Sequence, residues 1–402
     1  MKCRFCHSEL KHQFVDLVNS PASNSFLSAE QLNEPEAFYP LKLFVCEKCL
    51  LVQIDEYKKS DDIFHSNYIY FSSFSKSWLE HAKQYVDMIT DKLDLNEKSS
   101  VIEIASNDGY LLQYFKEKNI PCLGVEPTNS TAEVARKRGI DVIEDFFSLK
   151  LAQNLKKADL VLGNNVLAHV PDINNFVAGL KEALKSNGTI TMEFPHLLNL
   201  INENQFDTIY HEHFSYFSLY TVVKIFREHK LEIYDVDEIS THGGSLRVYA
   251  KHLEDKSKDI SNQIDSVLNK ESSLHNLNGY REFQGRVNFI KNEFLEFLLK
   301  AKRENKKVIA YGAAAKGNTF LNYCGVKSDL IEFVIDKSPY KQNKFLPASH
   351  IPVVNESEIV KFKPDYIIIL PWNIKDEIIS QLDYIKKWNG KFVTAIPKLE
   401  IF

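Results

Sequence analysis

Residues 99–115 read SSVIEIASNDGYLLQYF, and this stretch decides the fold: a buried apolar strand, a turn at Asn-Asp-Gly, then a helix. Outward from it, PCLGVEPT (121–128), DLVLGNNVLAHV (159–170) and GTITMEFP (188–195) supply three more strands with helical segments between them. Strands alternating with helices predict a parallel sheet covered on both faces. LEIYDVDEI (231–239) and GSLRVYA (244–250) lie close together and predict an antiparallel pair at the sheet edge. Upstream, the spacing predicts a helix from about Trp78 to Leu93. Downstream, residues 251–304 read as a charged helical connector. KVIAYGAAAKGNTFLNYCG (307–325) then opens a second strand, glycine turn and helix, followed by strands in LIEFVID, DYIIILP and KFVTAIP. The expected class is α/β, with an N-terminal domain over 1–77, a Rossmann-like domain over 78–250, and a helical connector plus C-terminal Rossmann-like α/β domain over 251–402.

The 402 residues, 44% hydrophobic, are enough for two or three domains with their own cores. Against 54 acidic residues there are 49 basic ones. That leaves no excess to coat a phosphate backbone, so no nucleic-acid partner is expected. The opening MKCRFCHSEL has no signal-peptide core, and no run approaches the roughly 18 apolar residues needed to span a bilayer. A cytoplasmic monomer with no membrane contact is expected.

Four of the six cysteines form two Cys-x-x-Cys pairs, Cys3/Cys6 and Cys46/Cys49. Each pair suits a tight knuckle offering two thiolates to one ion. Two knuckles complete a tetrahedral zinc with no open position, which makes the metal structural. His7 and His12 lie near enough to substitute. A redox pair is disfavoured, because a thioredoxin-like motif would follow a strand inside a βαβ unit.

In a parallel sheet, ligands gather beyond the carboxyl ends of the strands. There lie Glu103, Ser106, Asn107, Asp108 and Gly109; the glycine would let backbone approach a ligand, and Asn107 or Asp108 would cap the next helix. Glu126 ends the second strand about twenty residues on, where an acid accepts both hydroxyls of a ribose. No G-x-G-x-x-G is present to embrace a pyrophosphate, which fits a nucleoside without phosphates. Asp145 and Phe146 are placed to hold and stack an adenine, and Asn164 and Asn165 face the first turn. This order, with two trailing antiparallel strands, resembles class I S-adenosylmethionine methyltransferases.

The densest chemistry is Tyr210-His211-Glu212-His213. The histidine spacing does not match a zincin, which needs two histidines four apart on a helix. On an extended segment His211 and His213 would point one way and Glu212 the other; on a helix the two histidines would diverge. A metal site and a buried aromatic cluster are the alternatives; general acid–base work is favoured, since histidine titrates near neutral pH. His169 lies just beyond a strand end, over the same cleft, where capping or packing is the plainer role. His242 lies in a turn whose Gly243 and Gly244 permit close approach of a bound group.

Taken together, the paired knuckles, YFSSFS, EIASNDGYLL, GVEPT, NNVLAHVPD, IYHEHFSYFS, THGGSLRVYA and YGAAAKGNTFLNYCG resemble, over essentially the whole chain, the sugar C-methyltransferases that act on nucleotide-linked keto sugars. The resemblance implies S-adenosylmethionine as methyl donor, with Pro127 of GVEPT joining the cofactor site. It also implies a dTDP- or GDP-linked 4-keto-6-deoxy sugar, methylated at carbon 3 through an enolate. His213 would be the base, Tyr210 and Glu212 would position it or the sugar, and His169 with Tyr68 or Tyr70 would assist. Ser72, Ser73, His242 and Lys316 are the expected substrate contacts. For Lys316, facing the diphosphate and merely walling the cleft stay equally open. Gly312-Ala313-Ala314-Ala315-Lys316-Gly317 with Asp336 mimics a dinucleotide fingerprint, but Ala314 crowds a pyrophosphate, so no bound nicotinamide is expected. The rival reading is methylation of oxygen or nitrogen on the same kind of sugar.

Overall fold

The computed structural model describes residues 1–57 and 71–402, so Tyr68 and Tyr70 lie outside the described residues. Three sheets are found among the described residues. The first contains β1 (His12–Ser20), β2 (Tyr39–Val45) and β3 (Val52–Ile54), an antiparallel meander with one knuckle just before β1 and the other in the β2–β3 turn. Its fourth strand is β9 (Ser215–Tyr216), from far down the chain, paired antiparallel to β3.

The central sheet holds β4 (Val101–Ile104), β5 (Cys122–Val125), β6 (Asp141–Ile143), β7 (Ala158–Asn164), β8 (Leu184–Pro195), β10 (Leu231–Ile239) and β11 (Ser245–His252). Its order is β10-β11-β8-β7-β4-β5-β6, and only β11 runs antiparallel to its neighbours. This is the class I methyltransferase arrangement, and the β10–β11 pair lies at the edge as expected. The crossovers change direction at β4, between β5 and β7, and the crevice at such a switch point is where ligands bind. Strand β4 is buried at every residue because helices cover both faces. The helix Lys76–Leu93 begins where Ser75 accepts the Trp78 N–H, and it buries Ala82, Tyr85, Val86 and Ile89, one helical stripe. It stops at Asp94, whose backbone turns left-handed.

The third sheet contains β12 (Val308–Tyr311), β13 (Val334–Ile335), β14 (Val353–Val354), β15 (Tyr366–Ile369), β16 (Lys391–Thr394) and β17 (Glu400–Ile401). The order is β14-β13-β12-β15-β16-β17, parallel except for β17. One core cluster runs from the first sheet through the 197–216 segment into this unit; within it Phe14 stacks on Phe283 at 4.8 Å. A second core packs the knuckle cysteines against the central sheet. Among the described residues no helix is long and apolar enough to cross a membrane.

Candidate active site and zinc knuckle

The sulfurs of Cys3, Cys6, Cys46 and Cys49 lie within 4.8 Å of one another. Cys3–Cys49 and Cys6–Cys46 are each 3.5 Å apart. A tetrahedral zinc about 2.3 Å from each thiolate needs sulfurs about 3.8 Å apart, so the set fits the metal. Gln53 donates to Cys3 Sγ at 3.3 Å, a further stabiliser of thiolate charge. Neither His7 nor His12 enters the set; His12 pairs with Glu47 at 3.0 Å.

A cavity of about 1370 Å³ opens where the three units meet. Its cofactor end lies beyond β4, β5 and β7. Glu126 is buried and accepts the Asn107 N–H and the Thr128 N–H, each at 2.9 Å, leaving further lone pairs on each oxygen. Burial raises its carboxyl above the usual range. Asn164 Nδ2 and Asn165 Oδ1 are buried without a partner among the described residues, and both asparagines line the cavity. One spare donor, one spare acceptor and a carboxylate suit the amino, carboxyl and hydroxyl groups of S-adenosylmethionine. Pro127, Phe146 and Asn107 also face the cavity.

Several expected cofactor residues do other work. Asp108 does not line the cavity; it is held by Arg138, 3.4 Å away, and by the Ser73 hydroxyl, which removes Ser73 as well. Asn107 and Asp108 do not cap the helix Leu112–Glu117, because Asn107 Oδ1 accepts the Ser72 N–H instead. The φ of +75° at Gly109 serves packing rather than a ligand: a Cβ there would lie 2.4 Å from Ile140 Cδ1. Ser106 fills the space a Gly124 side chain would take. Glu103 is buried away from the cavity, its carboxyl pushed well up by burial and by Glu126 and Asp108. Asp145 accepts its neighbour Phe146 N–H at 2.8 Å and faces solvent; Phe146 and Phe147 take the cavity wall.

At the opposite end, residues 210–213 form a turn closed by the His213 N–H on Tyr210 O at 2.9 Å, neither an extended segment nor a helix. Tyr210, His211, Glu212 and His213 therefore all reach the cavity. His213 Nδ1 lies 2.9 Å from Thr208 O, and His169 Nδ1 lies 2.8 Å from Glu212 O. A carbonyl only accepts, so both imidazoles carry hydrogen on Nδ1 and the lone pair on Nε2. The His213 ring centroid is 4.0 Å from that of Tyr210 and 4.7 Å from that of His169. Burial, with His169 as neighbour, holds His213 well below the usual histidine range; burial holds His169 at about 4. Glu212 accepts from Asn24 Nδ2 at 2.8 Å, while His211 Nε2 meets Pro40 O at 3.3 Å.

The third wall comes from loops. Lys316 donates to Asn373 at 2.7 Å and lies over the Trp372 ring. Burial lowers its pKa, and Asp207 opposes that. His242 has a buried Nε2 without a partner among the described residues and a pKa held at about 4 by burial. The expected ligand approach at Gly243 and Gly244 is taken by Trp372 and Asn199 side chains. Ser72 lines the cavity. Lys341, Lys344, Asn24, Phe26, Trp78 and Phe147 line it too and were not singled out from sequence; each comes from a stretch without a motif.

A family model described as a C-methyltransferase C-terminal domain matches residues 240–397, one described as a methyltransferase domain matches 78–236, and one described as a zinc binding domain matches 3–64. The C-methyltransferase NovU of Streptomyces niveus is 31% identical over 403 residues, covering 99% of this chain and 96% of NovU. Among solved structures, an S-adenosylmethionine-dependent methyltransferase of Clostridium acetobutylicum is 11% identical with a TM-score of 0.35, covering 43% of this chain and 92% of its own. The magnesium protoporphyrin IX methyltransferase of Synechocystis with bound S-adenosylmethionine is 15% identical with a TM-score of 0.34, covering 47% and 88%. With the full-length likeness to NovU, the central sheet and the thiolate set, the chain belongs to the C-methyltransferase family and is an S-adenosylmethionine-dependent methyltransferase with a zinc-binding N-terminal region.

Proposed function

We propose that the enzyme methylates carbon 3 of a nucleoside-diphosphate 4-keto-6-deoxy sugar, dTDP- or GDP-linked, with His213 as the base. The observation that carries this reading is the His213 imidazole, pinned through Nδ1 to Thr208 O so that Nε2 is the nitrogen left to take a proton. Burial keeps it neutral at neutral pH, the form a base needs. A diphosphate arriving near Lys316, Lys341 and Lys344 adds negative charge to the cavity, which raises the proton affinity of the imidazole again.

His213 Nε2 removes the proton alpha to the ketone, and the C–H electron pair moves into an enolate whose charge sits on the ketone oxygen. Tyr210 flanks His213 and stabilises that oxygen or orients the sugar, and His169, whose Nε2 carries a lone pair, orients the sugar by accepting from it; Glu212, fixed by Asn24, holds a sugar hydroxyl. Ser72, His242 and Lys316 complete the substrate side. Tyr68 and Tyr70 join the assisting groups in this proposal. S-adenosylmethionine, held by Glu126, Asn107, Asn164 and Asn165, supplies an electrophilic methyl group. We place the reaction in the cytoplasm, where reducing conditions keep the four thiolates free for zinc, and in a monomer.

The test is incubation with S-adenosylmethionine and each 4-keto-6-deoxyhexose nucleotide in deuterated water, read by mass spectrometry and carbon NMR. A methyl on carbon 3 with loss of the alpha proton is expected; a methyl on oxygen or nitrogen overturns the carbon assignment. His213→Gln is expected to lower turnover by about 100-fold or more with S-adenosylhomocysteine affinity unchanged. Wild-type turnover in that variant removes His213 as the base.

A further inference from the structure

Arg4 lies between Cys3 and Cys6, yet its guanidinium is held by groups outside the knuckle. Nη1 donates to Pro171 O at 2.8 Å and Nη2 to Ile54 O at 2.5 Å. The same group lies over the Phe214 ring, 5.4 Å from its centroid. Two of these three contacts border a histidine: Pro171 is two residues past His169, and Phe214 follows His213 directly. The Ile54 N–H donates to Phe214 O at 3.1 Å and the Phe214 N–H to Ala168 O at 2.7 Å, so Arg4 closes a ring through both histidine segments. The bond between His169 Nδ1 and Glu212 O crosses that ring.

The other end of Arg4 is fixed to the knuckle. Its N–H donates to Gln53 Oε1 at 2.9 Å, and the same glutamine reaches Cys3 Sγ. Asn174 donates to the carbonyls of Arg4 and Phe5 at 3.2 and 2.9 Å. Asp55, Glu56 and Asp172 offset the charge. A largely buried guanidinium is costly to desolvate, and packing alone would be served by an apolar side chain. Only a planar fork with fixed donors spans two carbonyls on different segments at one geometry.

We propose that Arg4 is a positioning residue that transmits the register of the zinc knuckle to His169 and His213, setting their separation and the nitrogen each presents. The inference rests on the roles given above to those histidines. Displacement of a reacting group by about 1 Å costs on the order of 100-fold in rate.

The experiment compares wild type, Arg4→Met and Arg4→Lys, each with zinc content measured. Imidazole nitrogen NMR reads the tautomers of His169 and His213 without any substrate, and turnover and KM are measured separately. With zinc retained, Arg4→Met is expected to show mixed tautomers and kcat lowered on the order of 100-fold, with KM for S-adenosylmethionine unchanged. Arg4→Lys, with one point of charge for two carbonyls, is expected to recover part of that loss. Wild-type tautomers and kcat in zinc-replete Arg4→Met overturn the proposal. So does zinc loss from both variants, which would make Arg4 part of the knuckle's own fold. Altered tautomers in a protein whose wild type turns over no keto sugar would sustain the positioning role and sink the substrate reading instead.

Discussion

Glu126→Gln tests the cofactor end most sharply, because the structure gives its consequence on two scales. The wild-type carboxylate receives one backbone N–H on each oxygen, from Asn107 and from Thr128, both at 2.9 Å. An amide has one accepting oxygen, so its NH₂ must face one of these donors. An orphaned buried donor costs about 1–3 kcal/mol, and the surviving bond loses its charge assistance. Stability is expected to fall by about 2–4 kcal/mol. Where Asn107, at a φ of +48°, is the residue released, its Oδ1 contact to the Ser72 N–H goes with it. For the ligand, replacing a charged acceptor removes about 1.5–3 kcal/mol, or roughly ten- to 150-fold in affinity. Isothermal titration with S-adenosylhomocysteine measures the second effect; urea unfolding without ligand measures the first. Wild-type affinity in the variant refutes Glu126 as a cofactor residue, and lost stability with intact affinity would reduce it to a lock on the turn.

Gly109→Ala combines a left-handed backbone with a Cβ 2.4 Å from Ile140 Cδ1, so a loss of about 2–5 kcal/mol is expected in urea unfolding; under about 1 kcal/mol would mean the Ile140 side chain yields freely. Cys46→Ser is expected to release zinc, read by elemental analysis, and to lower the melting temperature; full zinc and an unchanged transition would refute the four-thiolate assignment. His242, about 4 in the fold against 6.5 unfolded, leaves the unfolded chain to bind the proton first. Its contribution is therefore complete above pH 6.5 and is lost as pH falls towards 4. Glu103 and Glu126, with raised carboxyls, act in the opposite sense, so the comparison is with His242→Gln. The variant should gain on wild type by about 1.4 kcal/mol per pH unit between 6.5 and 4. A constant difference across that range would sink the assignment.

Strands β4, β5, β7 and β8 were legible because parallel strands buried on both faces read as apolar runs. Strand β6 was not: it has three residues, none fully buried, at the open edge. The knuckles were legible because metal ligands repeat at short spacing. Sequence found the 210–213 group but not its turn, because the bond from the His213 N–H to Tyr210 O leaves no periodic trace. The glycine turns were located and their partners misjudged. Whether a ligand or a side chain such as Ile140 or Trp372 fills the space beside a glycine depends on packing from distant segments. The same distance hid Lys341, Lys344 and Asn24, cavity residues carried by loops without a pattern.

Strand β9 has a consequence for how the chain assembles. The meander begun at His12 gains its last strand only when Ser215 and Tyr216 arrive beside β3. On a ribosome, the knuckles emerge long before that edge can be covered. Zinc capture can therefore come early, but the sheet stays open until most of the central domain has been made, and ordering across so long a separation is slow. Residues 210–216 carry the proposed base and also the closing strand, so the chain seals its first module and sets its reactive imidazole in a single late event.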